Sequence, residues 1–201
     1  MKARLRELKA ALSRPAHQFG EGLVKNLLKP ELEAADLWKA GRLTSIEYTD
    51  RYLVAPLPAL LMARTLAAFR DQLAASGTSP AVTIITAPMR RDGFRGPPTQ
   101  LSHNWLDEED REQTILALLD SFNLDARYTG RGAAHHRRLM LEYDDDSTAV
   151  IFFDQGFGYW RTAAGTRHDF NRSPTAQAKA LSDCSAFISG LGESFVAVTR
   201  R

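Results

Sequence analysis

"LTSIEYTDRYLVAPLPALLMARTLAAFRDQLAASGTSPAVTIITAP", residues 43–88, changes its periodicity twice. The first seven residues alternate and carry β-branched and aromatic side chains, the pattern of a half-buried strand. From Pro56 or Pro58 to Gly77 the chain reads as one long helix, with proline in its first turn and glycine past its end. Its apolar residues are so dense that burial on most sides is expected. "AVTIITA" is then a continuous apolar run of strand length, as a strand covered on both faces requires. Strand, helix and strand in succession predict a layered α/β structure.

The flanking segments extend this order. "DEEDREQTILALLDSF" (107–122) reads as a helix with four acids at its positive end. "LDARYTG" (124–130) reads as a strand. "HRRLMLEY", the turn "DDDS" and "TAVIFFDQGF" (136–157) read as an antiparallel hairpin. "SPTAQAKALSDCSAFISGLG" (173–192) is expected to be a last helix capped by Ser173, and "SFVAVT" a final strand. Upstream, "ARLRELKAALSR", "GEGLVKNLL" and "PELEAADLWKAG" have helical spacing. The expected organisation is a helical appendage over residues 1–41 and an α/β domain over 42–201, with a mixed sheet and helices on both faces.

Composition excludes more than it selects. At 44% apolar residues and a net charge of +2, the 201-residue chain is globular rather than disordered. One cysteine, Cys184, builds neither a disulfide framework nor a four-ligand zinc site, and is expected as a buried thiol. The N-terminus has no apolar core of a signal peptide, and no window reaches membrane-span length. A cytoplasmic protein without a membrane role is expected. No Walker A, G-x-G-x-x-G or H-E-x-x-H motif is present. No cofactor is implied, and "DDDS" reads as a turn rather than a metal site.

Three segments carry distinctive chemistry. Asp50, Arg51 and Tyr52 follow the first strand. Arg90, Arg91 and Arg95 follow the second, interleaved with Phe94 and glycines. Arg131, His135, His136, Arg137 and Arg138 precede the hairpin. Loops at strand ends converge in α/β sheets, so these cations are candidates for one phosphate site. Guanidinium donates two parallel hydrogen bonds to phosphate, and histidine adds a proton donor or nucleophile near neutral pH. Asp50 has a competing reading as the cap of the following helix.

Alternation sorts the third segment. His136, Arg138, Met140 and Glu142 share one face of a strand; His135, Arg137, Leu139, Leu141 and Tyr143 share the other, more apolar face. His136 and Arg138 thus form an H-x-R pair suited to clamp a phosphate. Read from His135, the spacing is H-x-R-x4-E, with Arg137 and Glu142. A regular strand turns Glu142 away from Arg137, and a bulge is needed to reunite them. Hydrolysis by a histidine nucleophile also needs a second histidine, which a homodimer supplies.

The succession "SIEYTDRYLVAPLPALLMARTL", "VTIITAP", "HHRRLMLEY" and "FFDQGFGYW" resembles the C-terminal phospholipase-D-like domain of MIT-domain proteins. Similar modules stand alone or are attached to helicases in bacterial DNA-processing and defence loci. The resemblance spans about residues 43–190. Asp50 and Tyr52 match the family's D-x-Y, His136 and Arg138 its H-x-R, and Gly156, Phe157, Tyr159 and Trp160 its last motif. Gly158 stands where that motif has aspartate, and Gln155 where it has a basic residue, with Arg161 close by. The resemblance implies phosphate binding by a degenerate site.

Two functional readings follow, with a third compatible with the first. One is a non-catalytic module that binds nucleic-acid phosphate through Arg138, Arg137, Arg131, Arg51, Asp50, Arg90, Arg91, Arg95 and Arg161. Phe94, Tyr159 and Trp160 would stack on unpaired bases. The second is a dimeric, metal-independent nuclease of phospholipase-D type using His136 and His135. The third is a subunit whose residues 1–41 dock to a larger helicase or nuclease, which requires an unsatisfied apolar face on those residues.

Overall fold

The computed structural model describes residues 6–9, 20–51, 53, 55–88, 105–130, 137–153, 156–157, 160–162, 184–186 and 195–200. Nine strands are present among them. β1 (Arg6–Lys9), β2 (Leu43–Thr49), β3 (Ala81–Ile85), β4 (Ala126–Thr129), β5 (Arg137–Tyr143), β6 (Thr148–Phe153) and β9 (Phe195–Arg200) form one sheet in the order β1-β9-β6-β5-β2-β3-β4. β7 (Trp160–Thr162) and β8 (Cys184–Ala186) pair separately. β2, β3 and β4 are parallel neighbours, whereas β5, β6, β9 and β1 continue antiparallel. The sheet is mixed and the chain is α/β, as the alternating pattern predicts.

The helices are α1 (21–34), α2 (Pro56–Leu73) and α3 (Glu108–Ser121). α1 has a π-helical turn, Val24–Leu28, between two short α-helical pieces. α2 begins after an extended Ala55 with prolines in its first turn, and 14 of its side chains are buried. It is enclosed on several sides. Phe69 meets Trp38, Thr65 Oγ1 accepts the Gly20 N–H, and Arg70 donates to the Phe122 and Asn123 carbonyls at the end of α3. Thr65 itself donates to the Leu61 carbonyl at 2.9 Å, so its buried hydroxyl is satisfied. α3 starts from Asp107, whose carboxylate accepts the Asp110 N–H at 2.8 Å.

Strand alternation sets the core. Ile46, Tyr48, Leu139, Leu141, Tyr143 and Ile151 lie on the sheet face that meets α2 and are buried. The facing expected along 137–143 is the one observed.

Two expectations for helices change to strands. The Leu5, Leu8, Leu12 spacing predicts a helix at Arg6–Lys9; its backbone instead pairs antiparallel with β9 at the sheet edge. Cys184, expected within a helix, lies in β8. Both elements gain their hydrogen bonds from a distant partner strand, which local periodicity does not encode. The remainder of the 173–192 helix lies outside the described residues. Of the segment read as an appendage, Leu23, Val24, Leu28, Leu32 and Leu37 contribute to the common core, and Tyr143 donates to the Leu37 carbonyl at 2.6 Å. Their apolar face is satisfied within the molecule.

The "DDDS" turn closes the β5–β6 hairpin with Asp146 at φ 59°. Arg42 donates to Asp144 Oδ1 at 2.6 Å, Lys39 donates to Asp145, and Ser147 Oγ donates to Asp145 Oδ1 at 2.6 Å. The Lys39 ammonium is the main reason the Asp145 carboxyl titrates well below the usual range.

Candidate functional site

The sheet register brings the C-terminal ends of β2, β3, β4 and β6 and the N-terminal end of β5 to one edge. Beyond β2, the Asp50 N–H donates to the Ile85 carbonyl at 2.9 Å; beyond β3, Thr86 N–H donates to Thr129 at 2.9 Å. The ladder therefore runs to the last residue before each loop. The segments that carry the candidate cations leave the sheet here.

Asp50 is fully buried. It does not cap α2, whose N-cap is Ala55. Alternation instead places it on the Tyr48 face, two residues on. The Tyr48 hydroxyl donates to Asp50 Oδ2 at 2.9 Å, and Arg137 Nε lies 3.8 Å from Oδ1. A carboxylate out of water requires such partners. The Tyr48 ring stands 5.4 Å from that of Phe157 and 6.5 Å from that of Phe153. Burial first, and then the Asp50 charge, push the Tyr48 phenol well above its usual range, so it remains a donor. Gly156, at φ 60°, seals the pair. A Cβ there would overlap Arg137 Cδ and lie 2.7 Å from Asp50 Oδ2.

Arg138 goes the other way. It pairs across the ladder with Thr49 and donates to Glu47 Oε1 at 2.9 Å, leaving its side chain 36% exposed. Arg137 and Arg138 are thus on opposite faces of the sheet. That is the sorting expected from alternation: Arg137 answers a buried carboxylate, and Arg138 faces partly to solvent. Glu142 is exposed near the far end of β5 and accepts from Ser45 at 2.7 Å. The β5–β6 register runs without a shift from Arg137 to Glu142, so H-x-R-x4-E does not close around Arg137. The carboxylate on that face is Asp50.

A second polar cluster stands at the ends of β3 and β4. Tyr128 hydroxyl lies 2.9 Å from Thr86 Oγ1 and donates to Glu108 Oε1 at 2.7 Å. The buried Arg111 guanidinium donates to Glu108 Oε2 and to the Ala87 carbonyl, each at 2.7 Å, and lies 5.8 Å from the Tyr128 ring centroid. Arg111 ties down the start of the loop that follows β3. Trp105 ties down its end by donating to the Leu53 carbonyl at 2.8 Å. Burial is the main cause that raises the Tyr128 phenol.

Of the candidate site residues, Asp50, Arg51, Arg137 and Arg138 lie within this edge. Arg51 is half-buried in the turn after β2. Trp160 and Arg161 are described as backbone in β7. Arg90, Arg91, Phe94, Arg95, Arg131, His135, His136 and Tyr159 lie outside the described residues. Sequence reasoning missed Glu47, Tyr48, Glu108, Arg111 and Tyr128. Only Tyr48 had a local signal, the Y-x-D spacing that puts both side chains on one strand face. Among the described residues no group of histidine, cysteine and carboxylate side chains is arranged to hold a metal ion. No described helix is long and apolar enough to cross a membrane.

The sequence matches the family model for the C-terminal domain of the DEAD/DEAH box helicase YjiV over residues 2–200. A search of curated proteins gave no significant match. Among solved structures, a variant of yeast tyrosyl-DNA phosphodiesterase 1 is a distant likeness, at 9% identity and a TM-score of 0.33. The alignment covers 98% of this chain but 32% of that one, so this chain spans about a third of that protein's length.

Proposed function

The chain belongs to the family of YjiV-type C-terminal domains of DEAD/DEAH box helicases, and from that premise we propose that it is a non-catalytic module holding nucleic-acid phosphate at the strand-end edge of its sheet. One observation carries the reading. The ends of β2, β3, β5 and β6 share one edge, so the loops bearing Arg90, Arg91 and Arg95 and bearing Arg131, His135 and His136 are rooted beside Arg51 and Arg138. Arg138 supplies an accessible guanidinium. Arg137, held by Asp50, positions the strand rather than the ligand. Phe94, Tyr159 and Trp160 offer stacking surfaces for unpaired bases. Binding without hydrolysis agrees with the resemblance to degenerate phospholipase-D-like domains and with the distance of Glu142 from Arg137. The module acts in the cytoplasm, in DNA processing or defence, beside the helicase that its family accompanies.

The test incubates the full chain with labelled single- and double-stranded DNA and RNA in EDTA, and scores retardation and cleavage together. Retardation without cleavage is expected, with loss of binding when Arg90, Arg91 and Arg95 are changed to alanine. Cleavage that disappears in His136→Ala would make the protein an enzyme. Neither signal at low salt would remove nucleic acid as the ligand.

A further inference from the structure

We propose that Arg127 is a further phosphate contact, and that a single strand leaves the binding edge over the sheet face opposite the helices, from Arg138 on β5 to Arg127 on β4. The inference rests on the reading of that edge as a nucleic-acid site and adds the path the polymer takes. Register fixes the placement. β5, β2, β3 and β4 are neighbours, and Arg138, Thr49, Ile85 and Thr129 form one cross-strand row. Met140, Glu47, Thr83 and Arg127 form the next row, two residues farther from the edge. Alternation turns both rows away from the core, because their chain neighbours Tyr48, Ile84 and Leu139 are buried in it. Arg127 and Arg138 therefore share a face.

Charge singles out Arg127. Among the described side chains three basic groups are exposed: Lys25, Arg42 and Arg127. Lys25 pairs with Glu21 and Arg42 with Asp144. Arg127 makes no hydrogen bond or ion pair among the described residues. Its planar fork can take a phosphate without giving up a carboxylate, whereas Arg138 shares its guanidinium with Glu47.

The other face of β4 is unfavourable to a polyanion. Tyr128 points to that side and donates to Glu108 at 2.7 Å, at the start of α3, where Asp107 and Glu109 are exposed. These carboxylates complement the positive end of the helix but exceed its half charge. A strand that reached β4 there would meet net negative charge. On the opposite face the span from Arg138 to Arg127 is three strand spacings and two residues, roughly 16 Å. A nucleic-acid strand covers it with about five phosphates at roughly 3.4 Å per charge, and with fewer when extended.

The experiment measures the affinity of the full chain for single-stranded DNA across a salt series, in wild type, Arg127→Ala, Arg127→Lys and Arg42→Ala. Arg127→Ala should reduce the slope of log affinity against log salt by about 0.7, the value for one phosphate on a single strand. Arg127→Lys should keep the wild-type slope. Arg42→Ala, at the hairpin turn far from the edge, should leave it unchanged. An arginine on an edge strand also blunts edge-to-edge pairing, so sedimentation of Arg127→Ala is measured alongside. Self-association with an unchanged slope would assign Arg127 that structural role and overturn the proposal. An equal fall in Arg42→Ala would mark diffuse attraction and overturn it as well. Wild type that does not bind, or binds without salt dependence, would remove the reading of the edge and the path with it. Salt-dependent wild-type binding with a slope unchanged in Arg127→Ala would remove the path alone.

Discussion

The β5–β6 hairpin has an arginine–aspartate pair near each end, and the two pairs differ in everything but chemistry. At the turn, Arg42 and Asp144 are 45% and 51% exposed and meet at 2.6 Å. At the strand-end edge, Asp50 is wholly buried and Arg137 is 18% exposed, at 3.8 Å. The exposed pair exchanges hydration for contact at little net gain and is screened by salt. The buried pair gains little over an apolar replacement of both partners, but removing one partner leaves a buried charge less well compensated. The turn pair fastens; the edge pair specifies. It dictates where β5 begins and where the chain after β6 must pass, and Gly156 is the residue that lets it pass.

That contrast orders the expected effects of mutation. Asp50→Ala removes a buried carboxylate partner of Arg137 and the acceptor of the Tyr48 hydroxyl, and should cost about 3–5 kcal/mol in urea unfolding. A loss no larger than that of Arg42→Ala would erase the distinction. Gly156→Ala forces a side chain against Arg137 and Asp50 at positive φ and should cost about 1–3 kcal/mol. Tyr48→Phe removes one buried hydrogen bond, at about 1 kcal/mol near neutral pH.

Tyr48→Phe also changes the alkaline limb. A raised folded pKa means that the stability is fully present below the unfolded value of roughly 10 and is lost as pH rises from there toward the folded one. Wild type should lose about 1.4 kcal/mol per pH unit for this tyrosine above that point, and the variant should lack that component. Identical alkaline limbs would show that Tyr48 is not the titrating group.

The smallest effect belongs to the turn. Arg42→Ala should cost under about 1 kcal/mol, and less in high salt. The acid limb has the opposite sign. Asp145 titrates below its usual range, so its contribution is present above the unfolded value and lost as pH falls through the folded one. Lys39→Ala should flatten that limb in acid unfolding.

What was legible follows from range. Two-residue alternation foretold that Arg137, Leu139 and Leu141 share a face and that Arg138 does not, because that rule is local. The long helix at 56–73 was legible from proline and apolar density. The edge strands at 6–9 and 184–186 were not, since distant pairing overrode local spacing. The competing reading of Asp50 as a cap fails because the helix begins six residues later. The Glu47–Arg138 pair depends on the β2–β5 register, and the Glu108–Arg111–Tyr128 cluster on the parallel pairing of β3 and β4. No single segment of sequence contains either.

The most direct test of the division between a specifying Arg137 and a binding Arg138 is the salt dependence of single-stranded DNA affinity in wild type and Arg138→Ala. The expected result is a falling line of log affinity against log salt in wild type, with a slope reduced by about one phosphate contact in the variant. An unchanged slope in Arg138→Ala, or affinity insensitive to salt, would contradict it.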